Sequence, residues 1–149
     1  MPNLTPEDEL SVPQLIGKWK DLERLEMELK PSCFSELMEQ IGVNCEKFRE
    51  LTVSGSILTT DALAIVDFTP KIKCLDLSRS YLPKEELMVI MKGCGEIERL
   101  TVSGCIGFQV DRDLLEMASG IRDFEPEGSK LWDYYVCDDP FEWNQLYIL

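Results

Sequence analysis

One apolar pattern recurs along the chain at a nearly constant interval. It has the form apolar-x-x-apolar-x-apolar, and it occurs at Leu22/Leu25/Met27, Phe48/Leu51/Val53, Ile72/Leu75/Leu77 and Ile97/Leu100/Val102. The central leucines are spaced by 26, 24 and 25 residues, and a degenerate pair, Ile121 and Phe124, follows 24 residues after Leu100. Two copies nearly match in words, ELTVSGS at 50–56 and RLTVSGC at 99–105. Apolar residues two apart lie on one face of a strand. An interval near 25 residues leaves room for one strand, one helix and two turns. A unit that small cannot bury its own apolar face, so the units must stack side by side around a shared core.

The intervals fit the helix. Ser32–Val43 carries Phe34, Leu37, Met38 and Ile41 at helical spacing, with Ser32 as candidate N-cap. Thr60–Phe68 opens on a capping candidate, carries Leu63 and Val66, and stops before Pro70. Pro83 suits a first helical turn, leading into Leu87, Ile90 and Met91, with Gly93 as the stop. Asp111–Ser119 carries Leu114, Leu115 and Ala118. The period lies in the leucine-rich-repeat range. The expected fold is therefore an α/β leucine-rich-repeat solenoid of four good units and one degenerate unit. Its expected divisions are a lead-in at 1–18, repeats at 19–125 and a C-terminal cap at 126–149.

Composition narrows the function. The 149 residues hold 15 Lys+Arg against 28 Asp+Glu, and no His, for a net charge of -13. Such acidity opposes binding to nucleic acid or to anionic membranes. The absence of His removes Ser-His-Asp triads, Cys-His pairs and His-ligated metals. The polar start MPNLTPEDEL has no signal-peptide core, and no apolar run is long enough to span a bilayer. The six cysteines are thus expected to be reduced thiols of a cytoplasmic or nuclear protein, and no CxxC pair occurs among them.

The fourth unit reads Cys94-x-x-Ile97-x-x-Leu100-x-Val102-x-x-Cys105, and Cys45-x-x-Phe48 repeats its first half. Ser56 and Ser80 are expected to take the place of the second Cys, inside the turn after the strand, where a small side chain bonds backbone amides. With GKWKDLERLEM at 17–27, FSELMEQIGVNCEKFRELTVSG at 34–55, PKIKCLDLS at 70–78 and EIERLTVSGC at 96–105, the chain resembles the repeat portion of plant F-box/LRR-repeat proteins. The resemblance implies a substrate-recognition module of a cullin-type ubiquitin ligase. In that family an F-box docks the ligase adaptor. About twenty residues precede the first repeat, too few for an F-box. Adaptor binding is therefore expected only if an F-box is supplied elsewhere. The alternative is a truncated decoy or regulatory paralogue that binds partners without recruiting the ligase.

Strand alternation assigns an outward face to Arg24, Glu26 and Glu28, then Glu50, Thr52 and Ser54, then Cys74, Asp76 and Ser78, then Arg99, Thr101 and Ser103. Asp123, Glu125 and Glu127 continue it in the degenerate unit. This face is hydroxyl-rich in the middle and acidic at both ends. It suits a protein partner with a basic or hydroxyl-bearing surface or peptide. The competing interpretation is that these are solvated strand residues. Charged helix positions such as Glu36/Glu39 and Lys84/Glu85/Glu86 are expected to be solvated surface.

No catalytic or cofactor site is expected: no phosphate loop occurs, and a Cys nucleophile would lack a His base. Cys74, flanked by Lys71 and Lys73, is the one candidate reactive thiol, if those lysines lower its pKa. Trp19 and the aromatic tail with Trp132 and Trp143 are expected to cover the two ends of the stack, the tail alternatively serving as a docking peptide.

Overall fold

The computed structural model describes residues 20–131. Trp19, Trp132, Trp143 and Cys137, with the lead-in and residues 132–149 of the expected cap, lie outside them. Strands and helices alternate strictly: β1 (Arg24–Met27), α1 (Phe34–Asn44), β2 (Glu50–Val53), α2 (Thr59–Phe68), β3 (Cys74–Asp76), α3 (Lys84–Gly93), β4 (Arg99–Thr101), α4 (Arg112–Ala118) and β5 (Asp123–Glu125). The strands form one parallel sheet in chain order, β1-β2-β3-β4-β5. Each helix packs on the next. The protein is α/β with a five-stranded parallel sheet and four helices among the described residues, compatible with a leucine-rich-repeat-like fold.

The register follows the sequence period. Leu25 pairs with Leu51, Leu51 with Leu75, Leu75 with Leu100, and Leu100 with Phe124. The four leucines are essentially without solvent exposure. They share one continuous core with Leu37, Ile41, Ile65, Leu87, Ile90 and Leu114 from the helices. Parallel strands require a crossover, and here each crossover is one helix. The degenerate pair Ile121/Phe124 is partly buried against that core.

Three local expectations are corrected. First, helix α1 begins at Phe34, after Cys33 rather than Ser32, and no side chain caps it. Second, helix α2 begins at Thr59, and its cap comes from inside. The Asp61 carboxylate accepts the Leu58 N–H at 2.9 Å. That start turns Ala62, Ala64 and Ile65 inward and leaves Leu63 44% exposed. Leu115 on α4 is likewise exposed, at 52%. Third, Pro83 stands just before α3 in extended conformation, not in its first turn.

Gly93 ends α3 as expected, as its last helical residue, but without a positive φ. A Cβ there would overlap the Val66 side chain of α2. Gly42 of α1 plays the same part on the other side, where a Cβ would lie 2.5 Å from the Phe68 carbonyl oxygen. Glycine at these two positions lets α1 and α3 close on α2.

The turns after the strands carry a correction to register. Isolated bridges join Ser56 to Tyr81, Tyr81 to Ile106, and Ile106 to Lys130. Gly55, not Ser56, therefore aligns with Ser80, Cys105 and Ser129. The turn after β2 is one residue shorter than the three that follow, despite the matching TVSG wording. Gly55 bridges the shorter path at φ +145, which favours glycine. In the longer turns the left-handed position falls to Arg79, Gly104 and Gly128, at φ 58, 65 and 77.

The small residues of these turns stitch neighbouring units together. The Ser80 hydroxyl accepts the Gly55 N–H at 3.1 Å, and the Ser129 hydroxyl accepts the Cys105 N–H at 3.0 Å. The Cys105 thiol donates to the Leu77 carbonyl at 3.2 Å. Cys45, Cys94 and Cys105 are buried and free of disulfides, as packing residues of a core should be. Burial pushes the Cys94 thiol up to about 11 and the Cys45 and Cys105 thiols upward as well.

Candidate functional site

Every second residue of the strands leaves the core and emerges on the open face of the sheet. Strand register arranges these residues in rows across the sheet. The first row runs Arg24, Glu50, Cys74, Arg99, Asp123. The second runs Glu26, Thr52, Asp76, Thr101, Glu125. A depression of about 280 Å³ lies across β2 to β5, lined by Glu50, Thr52, Cys74, Asp76, Arg99, Thr101 and Glu125 over a floor of Leu51 and Leu75. Arg24 and Glu26 extend both rows to β1, outside the lining.

The two rows differ electrostatically. In the first, each base sits beside an acid: Arg24 is 3.8 Å from Glu50, and Arg99 is 3.7 Å from Asp123. Such exposed pairs are worth little in stability, about 0–1 kcal/mol each, but they cancel charge locally. In the second row Glu26, Asp76 and Glu125 have no cationic partner within ion-pair distance among the described residues. Asp76 accepts the Ser78 N–H, at 2.9 Å. Glu125 accepts the Thr101 hydroxyl at 3.3 Å.

The remaining expected residues stand elsewhere. Ser54, Ser78 and Ser103 lie at the strand ends, with their hydroxyls engaged between units. Ser54 donates to the Ser78 carbonyl at 2.6 Å, Ser78 accepts the Ser103 N–H at 3.2 Å, and Ser103 donates to the Glu125 carbonyl at 3.1 Å. These three are seams between turns before they are surface. Glu28 and Glu127 are exposed at the two ends of that row.

Cys74 does not behave as its flanking lysines suggest. Burial, followed by the nearby Glu50 carboxylate, pushes its thiol pKa up, and Arg99 offsets this only in part. Lys73 is turned away, bonding Glu96 at 2.8 Å. Strand alternation is the reason: Lys73 precedes the strand and cannot share Cys74's face. In a neutral-pH thiol-labelling time course, Cys74 is expected to react more slowly than an unperturbed thiol, and faster labelling would contradict this electrostatic account.

Two buried or half-buried ion pairs escaped the sequence analysis. Lys30 meets Asp61 at 2.6 Å, and Lys84 meets Asp111 at 2.6 Å. Asp111 also caps α4, accepting the Leu114 N–H at 2.9 Å. The bond from Lys84 is the main cause that holds the Asp111 carboxyl below its ordinary pKa. Glu86 accepts the Thr59 hydroxyl at 2.8 Å. Lys84 and Glu86 are therefore ties between adjacent helices rather than merely solvated surface. Among the described residues no cluster of His, Cys, Asp or Glu is arranged to hold a metal ion, and no helix is long and apolar enough to cross a membrane.

The ordered rows and the 25-residue register invite comparison with known proteins. An F-box/LRR-repeat protein of Arabidopsis thaliana is 36% identical over 87 residues, 57% of this chain. A second Arabidopsis thaliana protein carrying an F-box/LRR-repeat name is 27% identical over 99 residues, 64% of this chain. The chain is thus similar, over part of its length, to proteins that carry F-box/LRR-repeat names. The matches cover 27% and 40% of those relatives' own lengths. No protein-family model matches the chain, and no solved structure does.

Proposed function

We propose that the chain is a protein-binding module, a short leucine-rich-repeat solenoid that presents its open strand face to a partner. The observation that carries this reading is the pair of in-register polar rows over a depression, built on a rigid sheet whose other face is core. The names of the Arabidopsis relatives support a protein-interaction role. On this reading residues 19–125 form the repeats, 1–18 lead into them, and 126–149 close the far end. The module is non-catalytic and works in the cytoplasm or nucleus.

The fuller proposal is substrate recognition for a cullin-type ubiquitin ligase, with the repeats holding the substrate. Adaptor recruitment then depends on an F-box. The alternative is a decoy that holds the same substrate without the ligase. Affinity capture on the purified chain, with purified ligase adaptor added to plant extract, separates them. Recovery of adaptor supports ligase membership, and recovery of partners without adaptor supports the decoy.

The binding face itself is tested by reversing Glu50, Asp76 and Glu125 to Lys together. Loss of complementary charge should weaken capture of true partners at least about tenfold, with a steep dependence on ionic strength. Unchanged capture by a folded triple variant would contradict the face.

A further inference from the structure

The second row of the open face has a period of its own. Its acids stand on alternate strands, Glu26 on β1, Asp76 on β3 and Glu125 on β5, with Thr52 and Thr101 between them. Adjacent strands are about 4.8 Å apart, so the strands that carry successive acids lie at roughly 9.6 Å. The neighbouring row is neutralised by its own ion pairs, Arg24–Glu50 and Arg99–Asp123. What remains for a partner is a row of three carboxylates on alternate strands, without a cationic partner among the described residues and with a threonine on each strand between.

We propose that the occupant of this face is a basic segment in the polyproline II conformation, crossing the strands with Lys or Arg at every third position. This deepens the protein-binding reading and rests on it. Polyproline II has three residues per turn and about 3.1 Å rise per residue, so residues three apart share one face at roughly 9.3 Å. That repeat is close to the spacing of the strands that carry the acids. Competing conformations fit worse. An extended strand repeats its face every two residues, at roughly 6.6 Å. An α-helix brings a residue back to the same face at seven, after roughly 10.5 Å, and drifts out of step by about an ångström per acid. A polyproline II backbone has no internal hydrogen bonds, so its carbonyls are free to accept from Thr52, while the Thr101 hydroxyl is engaged by Glu125. Its low conformational freedom also reduces the entropy lost on binding.

Synthetic capped peptides and fluorescence anisotropy test this with the full chain. Lys-Pro-Pro-Lys-Pro-Pro-Lys is the matched probe, and Lys-Pro-Lys-Pro-Lys, of equal charge, is the mismatched one. The matched peptide should bind about tenfold more tightly at low salt, since three in-register pairs replace one or two. Asp76→Asn, which removes the middle carboxylate, should erase most of that preference. Glu39→Gln, on the exposed side of α1, should leave it intact. Equal affinity for the two peptides, or a preference that survives Asp76→Asn, overturns the proposal. If the peptides bind alike while the triple Lys variant still loses its captured proteins, the binding face stands and the polyproline II occupant falls.

Discussion

Asp61→Ala is expected to cost about 3 kcal/mol of folding stability, at the low end of the range for breaking a buried ion pair. Asp61 is 4% exposed. One of its oxygens accepts both the Lys30 ammonium at 2.6 Å and the Leu58 N–H at 2.9 Å. The ammonium also donates to the Ser56 carbonyl at 2.7 Å. Truncation therefore leaves a largely enclosed cation with one carbonyl partner, and it removes the cap of α2. Lys30 retains some solvent contact, 18% of its side chain, which keeps the loss below the upper bound. The double variant Lys30→Met, Asp61→Leu should recover part of the loss, because it removes the uncompensated charge. Urea unfolding of the three proteins measures this. A loss below about 1 kcal/mol for Asp61→Ala would show that the pair is not structural.

Leu75→Ala is expected to cost about 2–5 kcal/mol, the range for emptying a packed leucine site. Leu75 lies in the middle strand, in register with Leu51 on one side and Leu100 on the other. It is 1% exposed. Its neighbours are held by their own strands and helices, so collapse into the cavity is limited on both sides. Thr52→Ala, on the opposite face of the neighbouring strand, should change stability by no more than about 0.5 kcal/mol. The contrast between buried and open positions tests the alternation directly. Comparable losses at the two positions would mean that the face assignment is inverted or slipped.

The sequence made the strands legible because their signal is redundant. Four copies of one apolar triplet, and a fifth reduced to Ile121 and Phe124, marked every strand centre that the sheet aligns. Alternation then placed Glu50, Thr52, Asp76 and Thr101 on the open face without further information. The ion pairs that cross units were hidden, because Lys30 and Asp61 are 31 residues apart, off the repeat interval and in different kinds of element. The turn after β2 misled for the opposite reason. Its wording matches the turn after β4, yet it is one residue shorter, and the Ser56–Tyr81 bridge and the Gly55–Ser80 hydrogen bond reveal the offset. Helix faces were legible where long apolar residues dominate, as in α1. In α2 the first turn is fixed by Asp61, and one residue of shift carried Leu63 outward. The chemistry of Cys74 failed because neighbours in sequence on a strand are not neighbours in space.

The central claim is that the open strand face, and not the helical side, meets the partner. Site-specific photo-crosslinking tests it most directly, with a photoreactive residue placed at Thr52 in one protein and at Glu39 on α1 in another. Both are exposed to plant extract under identical illumination. A discrete set of crosslinked proteins from position 52, absent from position 39 and abolished by Asp76→Lys and Glu125→Lys, is the expected result. The same proteins crosslinked equally from both positions, or from position 39 alone, would contradict it.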